Sequence, residues 1–289
     1  MTMCTPEELA ARIREMSDTP PGQSLPSGAA SVVEQLLIML ERGAVRAAER
    51  GSDGSWRAVP WVKQGILLGF RAGRVVEMSG GGLTHHSAFQ FFDKHTFPTR
   101  EFRLEDQVRI VPGGSTVRRG AHLSPGVVCM PPMYVNVGAF VGPGTMIDSH
   151  ALVGSCAQVG ARVHLSAAAQ LGGVLEPVNA APVVIEDDVI VGGNSGVYEG
   201  TVVRQRAVIG AGVVLTRGTP VFDLVREQVY RGSAERPLEI PAGAVVVPGS
   251  RRVRGAWAEA EGLALQTPVV VKYRDEKTDV STALEQWLR

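Results

Sequence analysis

Several polar residues interrupt an otherwise aliphatic and glycine-rich stretch, among them Asp148, in Gly144-Thr-Met-Ile-Asp148-Ser-His150, and Glu199, in Tyr198-Glu199-Gly200. A carboxylate in a cleft can take a proton from an amine or hold an ammonium group by ion pairing. Further polar candidates nearby are Asn136, Ser155, Gln158, His164, Ser166, Glu176, Asn179 and Asn194. Any one of them could instead be a solvated side chain or satisfy backbone groups at a turn. Nucleophilic chemistry is poorly served. Ser149 and His150 are adjacent, so in an extended strand they point to opposite faces. His164 and Ser166 could share a face, but no nucleophile elbow precedes the serine. Cys156 reads as a buried small residue. The six histidines are scattered, and the adjacent His85 and His86 follow the Gly80–Gly82 run as loop residues rather than ligands, so no metal site is expected. Neither a P-loop nor a dinucleotide-binding glycine fingerprint is present.

The elements that must position these groups follow a six-residue beat. Val117, Leu123, Cys129, Val135, Val141, Ile147, Val153, Val159, Leu165 and Leu171 are apolar in succession. The beat breaks over 173–184 and resumes as Ile185, Val191, Val197, Val203, Ile209, Leu215 and Val221. Such a period fits neither a helix nor a flat strand, and repetition at a fixed short interval is a solenoid signature. The reading is a three-sided coil of 18 residues per turn, each side a short strand with one aliphatic side chain pointing into a narrow prism. Glycines after the aliphatic residue (Gly142, Gly154, Gly160, Gly172, Gly192, Gly210) are expected at the sharp corners, where glycine accepts turn dihedrals without steric cost. Asp148 falls on such a corner position. The segment 173–184 should project as a loop, as should 223–242, before one more coil at Gly243–Pro248.

Before the coil, residues 1–112 read as a mixed helical domain. A capped helix begins at Thr5, Pro6 and Glu8, a second spans Ser31 to Arg42, and a third spans Trp61 to Phe70 against the second; 72–78 and 101–111 look extended. The β-helix is placed at 113–250. A cap is placed at 251–289, with a strand around Thr267–Tyr273 and a terminal helix from Ser281 to Arg289. Lys plus Arg equals Asp plus Glu at 29 each, so the formal charge is zero and a polyanion-binding role for nucleic acid is disfavoured. Three cysteines without CxxC spacing argue against a disulfide framework. Glu7 and Glu8 stand where a signal peptide would be basic, and no 18-residue apolar run occurs, so a cytoplasmic protein without membrane insertion is expected.

With the repeat established, several strings become specific. Phe92-Asp-Lys94, Met133-Tyr-Val-Asn-Val-Gly138, Gly144-Thr-Met-Ile-Asp148, Val153-Gly-Ser-Cys-Ala-Gln-Val-Gly160, Val163-His-Leu-Ser166, Leu171-Gly-Gly-Val-Leu-Glu-Pro177, Ala181-Pro182 and Ile185-Glu-Asp187 run through the repeat. Leu68-Gly-Phe-Arg71 precedes it, and Val-Pro-Gly-Ser250 follows. In these the chain resembles the tetrahydrodipicolinate N-succinyltransferases, hexapeptide-repeat acyltransferases that fold as left-handed parallel β-helices. The resemblance covers essentially the whole chain.

It implies transfer of a succinyl group from succinyl-CoA to the amino group of ring-opened tetrahydrodipicolinate, in lysine and diaminopimelate biosynthesis. It also implies homotrimers with clefts between neighbouring β-helices, and no permanently bound cofactor. The family's acidic pair falls on Asp148, the expected amine-orienting base, and Glu199, its partner. Arg71, Lys94, Arg103, Asn136, Ser155, Gln158, Ser166 and Gln170 are candidates for holding acceptor and acyl group. Gly172, Gly173, Ala181, Pro182, Gly192 and Asn194 are candidates for the coenzyme, with a backbone amide at Gly172 or Gly192 as donor to the thioester oxygen.

Departures from the family pattern sit beside these positions. Where two glycines and a later glycine are usual, this chain reads Ala167-Ala168-Ala-Gln170; His150 replaces a tryptophan, and Asn194 stands in the segment that normally carries an arginine. Lost aromatic and guanidinium groups could alter ligand choice, since asparagine cannot make the bidentate carboxylate contact. The alternative function is therefore a related acyltransferase of specialised metabolism, using acetyl-CoA or another acyl-CoA on a kindred amino-dicarboxylate.

Overall fold

The computed structural model describes residues 4–78 and 90–275. The His85–His86 pair and the expected helix at Ser281–Arg289 lie outside them. Three helices open the chain: α1 (Pro6–Ser17), α2 (Ala29–Glu41) and α3 (Pro60–Ala72). At the start of α1, Thr5 accepts from the Glu8 N–H while Glu8 reaches back to the Thr5 N–H, with Pro6 in the first turn where its missing donor costs nothing. Leu9 and Ile13 of α1, Val33, Leu36 and Leu37 of α2, and Ile66 of α3 share one apolar cluster. Within it Gly65 lets α3 pack closely, with the ends of the Leu36 and Ile13 side chains filling the place a Cβ would take. The expected extended segment at 101–111 is partly corrected. It contains a 3-10 turn, Leu104–Asp106, because Asp106 accepts from the Arg103 N–H and closes the chain on itself.

The six-residue beat forms a parallel β-helix. Two-residue strands stack into three faces, pairing with the strand 18 residues on where the chain carries no insertion, as in Phe140 with Gln158, Met146 with His164 and Leu152 with Gln170. The first face runs through 122–123, 140–141, 158–159, 184–185, 202–203 and 239–240. The second runs through 109–110, 128–129, 146–147, 164–165, 190–191, 208–209 and the long strand Ala244–Arg252. The third runs through 116–117, 134–135, 152–153, 170–171, 196–197 and 214–215. The second residue of each short strand points inward, so Val141, Ile147, Val153, Val159, Leu165, Leu171, Val191 and Val197 are all 0% exposed. Burial of this continuous aliphatic column drives the coil.

Three details differ from the sequence reading. The strand Arg109–Ile110 already pairs with Val128–Cys129, so the second face begins before 113. Val221 keeps the beat and is buried, yet it does not join the first face, where 202–203 pairs with 239–240. A Thr216–Thr219 turn followed by Pro220 carries the chain off the coil, and 221–223 pairs with 228–230 and with the strand Ala264–Tyr273. That last strand, expected from the sequence, runs antiparallel to Ala244–Arg252 and extends the second face.

The third difference concerns the corners. The left-handed backbone falls three residues after most inward aliphatics, at Gly120, Gly126, Gly138, Gly144, His150, Cys156, Arg162, Ala168, Asp188, Asn194, Gly200, Arg206 and Gly212, with Glu199 left-handed beside Gly200. The glycines directly after the aliphatic serve another purpose. A Cβ on Gly142 would lie 2.5 Å from the Gly160 backbone, and one on Gly192 would lie 2.5 Å from Ala211 N, so stacked coils need the room. Among the described residues no helix is long and apolar enough to cross a membrane.

Candidate active site

The three-face geometry decides which candidates can meet. Asp148 follows the second-face strand 146–147, so it stands on the edge between the second and third faces. The same edge carries Ser149, His150, Ser166, Ala167, Ala168, Gly192, Gly193 and Asn194 in successive coils. Its turns are tied by backbone hydrogen bonds from Ala168 N to Ser149 O and from Asn194 N to Ala167 O. Asp148 is about one-third exposed. Its Oδ1 accepts from the Ser149 N–H at 2.8 Å, and its Oδ2 lies 3.8 Å from His164 Nε2. His164 is buried on the outer surface of the second face, so its ring backs the carboxylate from the coil above. All of the departures noted in the sequence, His150, Ala167, Ala168, Gln170 and Asn194, fall on or beside this one edge.

Glu199 follows the third-face strand 196–197, so it stands on the next edge, between the third and first faces. Asn136, Ser155, Gly172 and Gly173 share that edge, and the insertion containing Ala181 and Pro182 leaves from it. Glu199 is exposed in left-handed backbone, and its Oε2 accepts from the Arg217 N–H at 3.1 Å. It borders a cleft of ≈ 440 Å³ walled by Pro177, Asn179, Ala181, Trp56, Arg217 and Arg236. Arg217 and Arg236 stand on its wall beside the carboxylates of Glu199 and Glu235, so the cleft offers an anionic ligand guanidinium groups set among negative charge. These arginines and Trp56 were missed by sequence reading. Arg217 stands two residues after inward Leu215, the same place in the repeat that Glu199 holds after Val197, and that phase is a signal that could have marked it.

Asp148 and Glu199 thus occupy different edges with the third face between them, and they lie two coils apart, roughly 10 Å along the prism at strand spacing. They do not meet within one chain.

Other candidates are engaged elsewhere. Gln158 is buried on the first face beneath the helical domain. It accepts from Arg46 Nε at 2.9 Å and donates to Cys156 O at 2.8 Å. Arg46 in turn lies over the Phe140 ring at 3.7 Å, and burial draws its pKa below the ordinary value. Arg71 donates to Thr19 O and Pro20 O, and Lys94 donates to Gly73 O, so both bind local carbonyls of the helical domain. Arg103 is exposed at the 3-10 turn. Asn136 accepts from the Val137 N–H, and Ser155 is buried at the base of the insertion. The Gln170 amide donates to His150 O at 3.1 Å and Ala168 O at 3.2 Å, which fastens two turns of the Asp148 edge together.

One expectation is corrected outright. The amides of Gly172 and Gly192 cannot serve the thioester oxygen, because both donate along the coil, to Val197 O at 2.8 Å and Ile209 O at 2.7 Å. The N–H groups of Ala167 and Gly193, one residue further into the turns, meet no acceptor among the described residues. No group of three or more His, Cys, Asp or Glu suited to a metal occurs among the described residues.

Comparison with known proteins agrees with the repeat and with the helical domain. Residues 14–72 match the tetrahydrodipicolinate N-succinyltransferase N-terminal model, and residues 182–217 match the hexapeptide repeat of succinyl-transferase. A 2,3,4,5-tetrahydropyridine-2,6-dicarboxylate N-succinyltransferase of Polynucleobacter asymbioticus is 37% identical over 271 residues, 92% of each chain. Its counterpart in Afipia carboxidovorans is 40% identical over 262 residues, 89% of each chain. The one in Bradyrhizobium diazoefficiens is 40% identical over 263 residues, again 89% of each.

Proposed function

The chain belongs to the tetrahydrodipicolinate N-succinyltransferase family, and from that membership we propose that it moves a succinyl group from succinyl-CoA to the amino group of ring-opened tetrahydrodipicolinate. It is an acyl-CoA-dependent N-acyltransferase. The observation that carries the reading is the division of the acidic pair between adjacent edges of the prism. A heterologous contact uses two different patches of the same chain and closes into a ring when the rotation permits. A ring that sets the Asp148 edge of one copy against the Glu199 edge of the next makes one complete cleft per chain, and we assign three copies.

The chemistry then follows from the groups present. A protonated amine has no lone pair for attack, so a proton must leave as the nitrogen approaches the thioester carbon. Asp148, fixed at one oxygen by the Ser149 N–H, keeps its other oxygen for the amine. Glu199, held by the Arg217 N–H, is its partner across the cleft. As the C–N bond forms, negative charge gathers on the thioester oxygen, and the unengaged N–H groups of Ala167 and Gly193 lie on the Asp148 edge to receive it. Collapse expels the coenzyme A thiolate, which takes up a proton, and leaves the N-succinyl amide. No covalent enzyme intermediate is required. Arg217 and Arg236 suit the anionic parts of the ligands.

The test is steady-state kinetics with succinyl-CoA and acetyl-CoA, each against tetrahydrodipicolinate and simple 2-aminodicarboxylates. Succinyl-CoA with tetrahydrodipicolinate should give the highest kcat/KM. Trace activity for that pair beside a strong one with acetyl-CoA would replace this reading with the acetyl-transferring alternative that His150 and Asn194 suggest.

A further inference from the structure

Lys63 of α3 is 0% exposed, one of the largest fully buried side chains among the described residues. Burial draws its pKa below the ordinary lysine value. The nearby Cys156 thiol is pushed up to about 12 by burial, so it stays neutral and supplies no counter-charge. The hydrogen-bond partner of Lys63 is Ala180 O, 2.5 Å from Nζ. A desolvated ammonium held by one carbonyl is an expensive way to fill space, since an apolar side chain of similar volume would do so without the charge.

The carbonyl it holds belongs to the insertion that walls the Glu199 cleft. The insertion adds eight residues to the 18-residue repeat, because Gln158 pairs with Val184 rather than with the residue 18 positions on. A second contact grips the same turn from the other side. The Ala181 carbonyl oxygen abuts Gly200, where a Cβ would lie 2.5 Å from it. The 180–181 peptide bond is trans, so its N–H and C=O point in opposite directions. With Ala180 O directed at Lys63, the Ala181 N–H is directed away from Lys63. It meets no acceptor among the described residues, and Ala181 lines the cleft.

We propose that Lys63 is a positioning residue for acyl-CoA: by holding Ala180 O it fixes the insertion so that the Ala181 N–H stands on the cleft wall as a donor to a carbonyl or phosphate oxygen of the coenzyme. This rests on the function proposed above. Lys63 touches no reacting atom, so its loss should weaken coenzyme binding while leaving the chemical step in place.

The experiment compares wild type with Lys63→Met and Lys63→Arg in the full-length assembled protein. Lys63→Met should raise KM for succinyl-CoA about tenfold, with kcat within about twofold and KM for the acceptor unchanged. Lys63→Arg, which keeps charge and donor, should recover part of that loss. A Lys63→Met enzyme that folds and keeps wild-type KM overturns the proposal, as does one whose kcat falls in step with its folded fraction while KM holds. Should Lys63→Met fail to fold, hydrogen exchange on the wild type decides. The Ala181 amide should become protected when coenzyme A is added, and an unchanged rate despite measurable binding refutes the inference. If the wild type binds no coenzyme A at all, the failure belongs to the proposed function instead.

Discussion

Two alanine substitutions at glycine should differ sharply, and the difference measures how the coils stack. Gly154 precedes a turn on the Glu199 edge, and its backbone is outside the left-handed region. A Cβ there would stand 2.6 Å from Gly172 C and 2.6 Å from Leu171 O and closer still to Gly173 N, all backbone atoms of the next coil. Those atoms belong to the hydrogen-bonded ladder, in which Gly154 N donates to Leu171 O at 2.8 Å, so they cannot turn aside as a side chain would. Relief requires prising two coils apart by about an ångström against a strand spacing of about 4.8 Å. Overpacking against backbone that cannot turn aside falls at the upper end of the usual range, about 3 kcal/mol, offset by roughly 0.4–1 kcal/mol from the stiffer unfolded chain. Gly212 is the contrast: its φ is +75 and nothing lies within 4 Å of its Cβ position, so alanine there meets only the left-handed penalty of about 1–2 kcal/mol, with the same offset. Urea unfolding at fixed protein concentration should therefore place Gly212→Ala within about 1 kcal/mol of wild type and Gly154→Ala about 2 kcal/mol below it. Because Gly154 presses on the base of the insertion, Gly154→Ala should also raise KM for the acyl-CoA, whereas Gly212→Ala should not. Equal destabilisation by the two, or the reverse order, would refute the claim that glycine is needed there for space rather than for its dihedrals.

Other outcomes follow from the same geometry. Asp148→Asn and Glu199→Gln should each cut kcat by roughly 10²–10⁴-fold in a direct succinylation assay, the range for lost acid–base participation. For Glu186, burial favours the neutral acid, but donors from Trp56, Arg204 and the Gln205 N–H outweigh it and hold the carboxyl below its usual value. A folded pKa lowered in this way stabilises the protein above the unfolded value near 4.5, and the contribution is lost as pH falls through the folded pKa. Urea midpoints measured downward from pH 7 should thus fall more steeply below about pH 5 for wild type than for Glu186→Gln. Gln170→Ala should lower stability by about 1 kcal/mol through its two lost bonds, while acyl-CoA preference stays as in wild type.

The prism was legible because one aliphatic side chain per strand must point inward, and that constraint writes itself as a strict six-residue beat. The corners were less so. Here many left-handed positions hold His150, Cys156, Arg162, Ala168, Asp188, Asn194 and Arg206, side chains that give no hint of their backbone, while the conspicuous glycines mark crowding between coils. Gln158 looked like a site residue because it stands in the Gly-Ser-Cys-Ala-Gln string. Only the packing of Arg46 and Phe140 shows that the helical domain covers it. The separation of Asp148 from Glu199 was in principle countable from the phase of the repeat. It was blurred because the insertion reads as twelve residues when it adds only eight to the repeat. Lys63 lay inside an ordinary amphipathic helix, and nothing in its spacing set it apart from a solvated lysine.

The central claim is that each reaction cleft takes its aspartate from one chain and its glutamate from the next. Mixed assemblies test it directly. Asp148→Asn and Glu199→Gln chains carrying different tags are co-expressed in equal amounts, and the hybrids are assayed beside each parent. With random assembly, a cleft has an intact aspartate half the time and an intact glutamate half the time, so the whole mixture should recover about one quarter of wild-type activity and trimers carrying both tags about one third. Hybrids no more active than the two parents would contradict the account, because a site built within a single chain cannot be restored by mixing.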